Sequence, residues 1–498
     1  MAQVPAAPEV ILEPAHEVPV IARADVAVFG GGPAGICAAT AAARAGRHVV
    51  LVERYGFLGG MATAGNVTIL HSLYGTDHST PVIGGLPEEF LRRLQDMKAA
   101  RNQSPDGETA AWVINSEYAK LVADDLVCGA GLVGGDGKGR VDLMLHTLLV
   151  GVLREGRRIT GALVESKSGR GAIVARVYID CTGDADLIRR AGLDTQLGNA
   201  EGKCQAPTLC FRVAGRQPGA ASLGQAAADL FSEPMRYTLS ERDGCREVFA
   251  PSGGDRYPCF LWGSEGLFDA EEEMLAGTRV LKVNAADATS FSHAEIEARY
   301  QMRWVLDRLR RLPGRENTYL VDIATQLGIR ETHRIHADHV LTRQEVLEGV
   351  SFPDAIAQGT YPIDIHTPDA PGIRFEYLDG TWRRINRDRS TSTGRWDGRP
   401  EDAAKRSTLC YQVPYRSLIP RDLDNVLVAG RCVGAAHDSA GALRVMINGM
   451  QFGEAAGVAA VMTCQGGNVR EIDASALRAH LQSRGVPLRD STAGVAGA

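Results

Sequence analysis

Paired cysteines are missing from this sequence: its ten cysteines are scattered, and no two stand in a Cys-x-x-Cys spacing. That excludes the zinc-ribbon, thioredoxin-like and common iron–sulfur patterns, and the thiols are expected to be reduced. A basic excess is missing too, since Lys+Arg 54 against Asp+Glu 60 leaves a net charge of −6. Nucleic acid is therefore not an expected partner. No run approaches the roughly 18 apolar residues of a membrane span. The first residues, MAQVPAAPEVILEPAHEVPV, lack the basic start and apolar stretch of a signal peptide, so the cytoplasm is the expected compartment. Gly-x-Ser-x-Gly elbows, P-loops and His-Glu-x-x-His are absent as well, which leaves hydrolase and kinase chemistry without support.

What is present is a folded composition, 44% hydrophobic and 23% charged over 498 residues, enough for about three domains or one large domain with an insertion. The 56 glycines exceed the usual share of about 7% and fall in a few strings. A strand-turn-helix pattern returns near 24–65, 140–192 and 410–465, which predicts one domain assembled from three pieces. The stretches between, about 70–125 and 196–405, are richer in aromatics, Arg and His and suit a cap or substrate domain. Residues 380–407 are polar and turn-rich, suggesting a long surface loop or lid, with a plain solvated loop the competing reading. The proline-rich start and the closing STAGVAGA are expected to fray.

The first string is the most informative. Ala24 to Phe29 alternates like a buried strand, and Gly30-Gly31-Gly32-Pro33-Ala34-Gly35 opens an alanine-rich helix ending near Arg44. Gly30 permits a tight turn, Gly32 lets backbone approach a pyrophosphate, and Gly35 allows close packing of helix on strand. Pro33 stands where a missing N–H matters little. A second strand, His48 to Val52, ends at Glu53, about 20 residues on, where a carboxylate can accept both hydroxyls of an adenosine ribose and would repel a 2′-phosphate. This is a dinucleotide site. A second Gly-x-Gly-x-x-Gly at Gly129-Ala-Gly131-Leu-Val-Gly134 follows a helix rather than a strand, so 129–140 reads as an extended loop.

Three further features follow. Arg54-Tyr-Gly-Phe-Leu-Gly-Gly-Met-Ala-Thr-Ala-Gly-Asn66 is a second run of small residues in which backbone can approach a flat cofactor. Residues 174–179 form a strand leading into Asp180-Cys-Thr-Gly-Asp-Ala-Asp186, with Asp184 or Asp186 placed to cap the next helix. Asn425 to Gly434 reads as strand and turn before one helix from Ala442 to Thr463, whose positive end would favour charge developing on a reduced flavin.

These blocks, in this order, resemble the FAD-dependent oxidoreductase family of the glutathione-reductase-like flavoprotein superfamily, distantly similar to fumarate reductase flavoproteins. The resemblance rests on the glycine string with Glu53, Leu58-Gly-Gly-Met-Ala-Thr63, Ile179-Asp-Cys-Thr-Gly-Asp-Ala-Asp186, Leu327-Gly-Ile-Arg-Glu-Thr332, Tyr361-Pro-Ile-Asp-Ile-His366, Val413-Pro-Tyr-Arg-Ser-Leu-Ile-Pro420 and Val428-Ala-Gly-Arg431. It implies an α/β fold with non-covalent FAD in a discontinuous Rossmann-type domain (21–70, 126–195 and 408–465) and an inserted α+β substrate or cap domain (71–125 and 196–407). A tail, 1–20, would precede them, and a C-terminal helix and tail, 466–498, would follow. The expected cofactor residues are Gly30, Gly32, Pro33, Ala34, Gly35, Glu53, Arg54, Gly59, Gly60, Met61, Ala62, Thr63, Asn66, Thr182, Gly183, Asp184, Gly430, Arg431 and Asn448. Two departures stand out: the last helix, where Arg444-Val-Met-Ile-Asn448 lacks the family's usual proline and Gln451-Phe-Gly-Glu454 replaces its usual small or amide pattern, and the glycine-rich insertion near 129–140.

Removing a hydride from a C–H bond needs a base for a substrate proton and cations for an anionic group. Arg330 and Arg444 are the cationic candidates, His71 and His366 the bases, and His333 joins them as a catalytic candidate. His333, His336 and His339 also invite a metal reading, but a strand through THRIHADHVLT would put 336 on the opposite face from the other two, so no metal is expected. The activity expected is an FAD-dependent dehydrogenase or oxidase acting on a small or medium polar molecule. The rivals are a flavin monooxygenase using NAD(P)H and oxygen, and an electron-transfer subunit. The acceptor would be oxygen, a quinone or a redox partner, and a homo-oligomer is compatible with the sequence.

Overall fold

The computed structural model describes residues 10–103, 111–130, 139–221, 230, 262–266, 271–370, 372–386 and 390–489. Most of the glycine-rich 129–140 segment and the closing STAGVAGA lie outside them. The centre is a seven-stranded sheet. Five of its strands are parallel, in the spatial order Arg140–Met144, His48–Val52, Val20–Phe29, Gly169–Asp180 and Val426–Val428. Their middles read Val-Ala-Val-Phe and Val-Val-Leu-Val because both faces are covered, so apolar residues are wanted at every position rather than at alternate ones. The long strand Gly169–Asp180 has two partners on one side. Its first half pairs antiparallel with Arg158–Ser166, which continues into Leu148–Glu155, and its end pairs with Val426–Val428.

The parallel strands end in register: Phe29 is level with Val52 and Asp180, Val52 with Met144, and Asp180 with Val428. Every loop leaving these ends emerges on one edge, where open α/β sheets bind ligands. Short backbone bonds tie the loops to neighbouring strands, Gly30 N–H to Val52 O at 2.8 Å, Cys181 N–H to Phe29 O at 2.7 Å and Ala429 N–H to Asp180 O at 2.9 Å.

One face of the sheet is covered by the helix Pro33–Arg44 and the long helix Met446–Gly466. The single helix expected over Ala442–Thr463 is in fact two, His437–Leu443 and Met446–Gly466, broken at Arg444 and Val445. The expected cap segment 71–125 contributes helices Leu86–Asp96 and Ser116–Cys128 to this same core, where Phe90, Leu94, Val122 and Leu126 are buried together with Ile36. The other face of the sheet buries Leu149, Ile159, Val164, Leu187 and Ile335.

A second core lies between the 22-residue helix Ala288–Leu309 and an antiparallel sheet of Trp262–Glu265, Glu273–Ala276, Phe211–Ala214 and Tyr319–Ile323. Another four-stranded antiparallel sheet runs Ile363–His366, Ile373–Glu376, Thr381–Ile385, Thr391–Arg395. This corrects the loop reading of 380–407 over its first half, where Thr381–Ile385 and Thr391–Arg395 are strands with exposed side chains that need not be apolar, while 396–407 has turns and no strand. The histidine segment is likewise a strand only over His333–Ile335, so the face argument does not reach His336 or His339. Among the described residues no group of His, Cys, Asp and Glu could hold a metal ion, the cysteines are unpaired, and no helix is long and apolar enough to cross a membrane.

Candidate functional site

The turn after the first strand is pinned from several sides. Gly30 sits at φ +97°, and a Cβ there would lie 2.4 Å from the carbonyl oxygen of Cys181. At Gly35 a Cβ would lie 1.8 Å from Gly30 O. Gly32 differs: its φ is −74°, and a Cβ would meet only Gly60 Cα at 3.8 Å. Packing and backbone angle explain glycine at 30 and 35, whereas at 32 the protein leaves open room beside the helix N-terminus Pro33–Ala34, the place for an approaching phosphate. Gly60, at φ +53° with its own Cβ position 2.8 Å from Gly32 Cα, closes the other side in the short 3-10 turn Gly60–Ala62. Gly59 (φ +112°) precedes that turn, and Thr63 Oγ1 donates to Leu58 O at 2.8 Å to fasten it. Met61 receives the N–H of Val67 on its carbonyl.

Glu53 is buried at the end of its strand, where its Oε2 accepts the Gly31 N–H at 2.6 Å and its Oε1 the Tyr55 N–H at 2.9 Å. Burial raises its carboxyl above the ordinary value against those two bonds. Arg54 is exposed, lies over the Tyr55 ring and donates to Gln326 Oε1 at 2.8 Å. Asn66, in the left-handed region at φ 50°, donates to Asp322 at 3.0 Å and leaves its buried Oδ1 without a partner among the described residues.

In the Asp180–Asp186 turn neither Asp184 nor Asp186 caps the helix Asp186–Arg190, as had been expected. The fully buried Asp180 does so, accepting Leu187 N–H at 2.9 Å on one oxygen and the Thr182 N–H and hydroxyl on the other, while Thr182 Oγ1 accepts the Asp186 N–H at 3.0 Å. Burial raises Asp180 to about 6. Asp184 instead pairs with Arg431, whose guanidinium also donates to Gly183 O at 2.9 Å and Ile329 O at 2.7 Å. Gly430, at φ +93°, abuts Ala34. Asn448 is turned to internal work: its amide donates to Tyr411 Oη at 2.8 Å and Ala442 O at 3.1 Å.

The bond from Arg431 reaches the Leu327–Thr332 segment, and Gln326 N–H bonds Ala64 O at 3.1 Å. Arg330 is thereby held between two cofactor-side loops. Beside it lies a buried ionic cluster. Asp364 Oδ2 accepts Tyr361 Oη at 2.9 Å and Arg444 Nη2 at 2.8 Å, and its Oδ1 is 3.2 Å from His366 Nε2, near enough to attract but not aligned as a hydrogen bond. Burial would raise the Asp364 carboxyl, but His366, Arg444 and Arg330 outweigh it and hold it well below the usual carboxylate range. Burial, then the Arg330 charge, pushes His366 well below the ordinary histidine value. Gly441 makes this possible, since a Cβ there would lie 2.7 Å from Asp364 O and would push the strand Ile363–His366 off the helix that leads to Arg444.

His71 stacks between Tyr361 at 5.3 Å and Trp262 at 5.9 Å, and burial lowers it to about 4. Four of the five expected catalytic residues therefore converge: His71, Arg330, His366 and Arg444. His333 does not join them. It pairs with Thr195 Oγ1 at 2.8 Å in the two-stranded sheet with Thr195–Leu197. Asp364 and Tyr361 were not among the expected residues, though Asp364 stands two positions from His366 on a strand and so shares its face. Gln205, Thr208 and Arg279 come from distant segments with no common motif.

Fold and cradle together define a dinucleotide-binding α/β protein. Residues 25–481 match the family described as FAD dependent oxidoreductase, and the chain belongs to that family. The open room at Gly32, the paired loops at Gly30 and Gly60 and the carboxylate of Glu53 fit FAD, the cofactor in the family's description. A curated relative, digeranylgeranylglycerophospholipid reductase of Methanoculleus marisnigri, is 29% identical over 185 residues, 34% of this chain and 42% of the relative. The chain thus spans less than half the length of that relative. Among solved structures it is similar to a geranylgeranyl bacteriochlorophyll reductase-like protein of Thermoplasma acidophilum (13% identity, 93% of this chain and 83% of that one, TM-score 0.43). It is also similar to a flavin-dependent brominase (12% identity, 93% and 83%, TM-score 0.42).

Proposed function

We propose that this enzyme is a dehydrogenase or oxidase that takes a hydride from a C–H bond of a small or medium polar molecule, within the glutathione-reductase-like superfamily and with distant kinship to fumarate reductase flavoproteins. The observation that carries the reading is the convergence of His71, Arg330, His366 and Arg444, with Asp364, beside the loops that cradle the dinucleotide. Gly32, with Gly60 facing it, would bring backbone against FAD in a cradle that Gly30, Gly35, Gly59 and Gly430 shape, Glu53 would hold its ribose, and Thr182 and Gly183 would line the same edge. Bound FAD supplies a hydride acceptor. The chain's own part is to hold the donor and take its proton. His71, kept neutral by burial down to a pKa of about 4, is the base for an O–H or N–H proton, since a neutral imidazole has a free lone pair at working pH. Asp364 fixes Arg444 and Tyr361 and keeps a negative charge beside His366. Burial of these groups in a low-dielectric site strengthens each interaction.

The test is anaerobic mixing of the purified flavoprotein with hydroxy acids, amines and polyols while following the visible flavin absorption. Bleaching by one class, lost in Arg330→Ala and His366→Ala that still retain FAD, is expected. Bleaching only by NAD(P)H would replace this reading with a monooxygenase. Copurification with an iron–sulfur protein and no bleaching by any donor would replace it with an electron-transfer subunit.

A further inference from the structure

On the side of this cluster facing Ala206 and Thr208, the Arg330 guanidinium meets only neutral acceptors among the described residues. Arg330 Nη1 donates to Ala206 O at 2.6 Å and to Thr208 Oγ1 at 2.8 Å, both uncharged, and no described carboxylate lies within ion-pair distance of it. Arg279, itself only 4% exposed, donates to the same Thr208 Oγ1 at 2.5 Å. Two guanidiniums thus converge on one hydroxyl. The nearby acid, Asp364, is already engaged by Arg444, Tyr361 and His366. A buried guanidinium that meets only neutral acceptors is unfavourable unless an anion completes its set.

The polar atoms left over have the matching character. Thr208 accepts from both arginines, so its own hydroxyl hydrogen remains to be donated. Gln205, 1% exposed, accepts the backbone N–H of His366 on Oε1 at 3.1 Å and leaves Nε2, a donor, without a partner among the described residues. Buried donors without acceptors are rare in folded proteins and mark a place where a ligand supplies the acceptor.

We propose that the substrate carries a carboxylate, seated on Arg330 and the Thr208 hydroxyl beside Arg279, with the Gln205 amide as a further donor. A planar carboxylate fits the guanidinium fork with two parallel bonds, which a single point charge or a neutral hydroxyl does not. The inference rests on the proposed hydride-donor reading for the word substrate, but the anion site itself does not.

Its test is binding, read on the FAD-loaded enzyme with malonate as probe and malonamide and inorganic phosphate as controls, by thermal midpoint and by flavin and tryptophan spectra. Malonate is expected to raise the midpoint and malonamide to leave it unmoved, with phosphate weaker than malonate. Arg330→Gln should weaken malonate roughly tenfold to a hundredfold. Thr208→Val, close in shape, should weaken malonate as well, and it decides the matter where Arg330→Gln fails to fold. Equal binding of malonate and malonamide, or malonate binding unchanged in these variants, overturns the proposal, as does phosphate binding tighter than malonate. Carboxylates that bind here while no compound bleaches the flavin would remove the hydride-donor reading and keep the anion site. An uncharged donor that bleaches it while no carboxylate binds or competes would do the reverse.

Discussion

Gly453 and Ala34 meet where a side chain has no room: a Cβ at Gly453 would lie 2.0 Å from the Ala34 carbonyl oxygen. One turn further on, Gly457 stands in the same relation to Ala38 O at 2.4 Å, and one turn earlier Gly449 faces Gly430. This glycine stripe lets the helix Met446–Gly466 lie directly on the helix Pro33–Arg44, whose N-terminus belongs to the cofactor cradle. Gly453→Ala is expected to destabilise the protein by about 1–3 kcal/mol through overpacking and to lower its flavin content, since the helix start would be displaced. Thermal unfolding and the flavin-to-protein absorbance ratio check this, and a variant unchanged in both would show that the helices do not meet this way.

Gly32 separates cofactor approach from packing. Its backbone angle suits any residue and a methyl group there would touch only Gly60 Cα at 3.8 Å, so Gly32→Ala should leave the stability of the FAD-free protein within about 0.5 kcal/mol. FAD affinity should nevertheless fall steeply, because the methyl fills the room beside the helix N-terminus. Gly35→Ala, with its Cβ 1.8 Å from Gly30 O, should fail to fold with or without FAD. Equilibrium FAD titration of the Gly32→Ala apoprotein, with circular dichroism of Gly35→Ala beside it, tests the contrast, and normal FAD affinity in Gly32→Ala would move the pyrophosphate elsewhere.

The cradle was legible in the sequence because its geometry demands particular residues. Positive φ at Gly30, Gly59 and Gly430 and the close approach at Gly35 leave glycine as the fitting residue, so the string shows even in a single chain. The capping of Asp186–Arg190 was not legible, since Asp180, Asp184 and Asp186 are equal as letters and only burial of the strand end selects Asp180. The break at Arg444 was hidden for a similar reason. Residues 437–463 are small and helix-compatible throughout, and it is at Arg444, paired with Asp364 from a distant strand, that the two helices part. Of the proposed anion-binding side only Arg330 was legible, because Thr208 and Arg279 share no spacing with it and meet it through tertiary packing.

Glu454 gives a stability signature in pH. It is 4% exposed on the long helix, and its Oε2 accepts the Leu86 N–H at 2.9 Å, so it tethers the start of the helix Leu86–Asp96. Burial raises it from 4.5 to about 7, against that bond and the Arg44 and Arg484 charges. Between those two values the folded state binds the extra proton, so the contribution of Glu454 to stability is expected to fall as pH rises from about 4.5 to about 7 and to stay at the lower level above that. Glu454→Gln keeps an oxygen for Leu86 N–H and removes the titration. Its stability should exceed that of the parent above pH 7 by on the order of 2–3 kcal/mol and match it near pH 4. Urea unfolding across pH checks this, and parallel curves for the two proteins would contradict it.

His71 gives the corresponding signature in rate. A base working from its ordinary value would lose activity as pH fell through 6.5, but burial lowers His71 to about 4, with the Arg444 charge adding to the shift and Asp364 opposing it. The acid limb of kcat/KM with the substrate class that bleaches the flavin is therefore expected near pH 4, and His71→Asn should abolish the limb while reducing kcat far more than it changes KM. Arg444→Met removes one of the groups that holds the pKa down, so the limb should move upward toward 6.5 even as substrate binding weakens. The same depression makes folding sensitive to acid, because the unfolded chain takes up this proton below 6.5 and the folded one only below about 4. The stability difference between the parent and His71→Asn should accordingly shift against the parent as pH falls through that window, whatever the other titrating groups contribute to both. A limb that stays near 6.5 in the parent, or one that His71→Asn leaves in place, would assign the proton to another group.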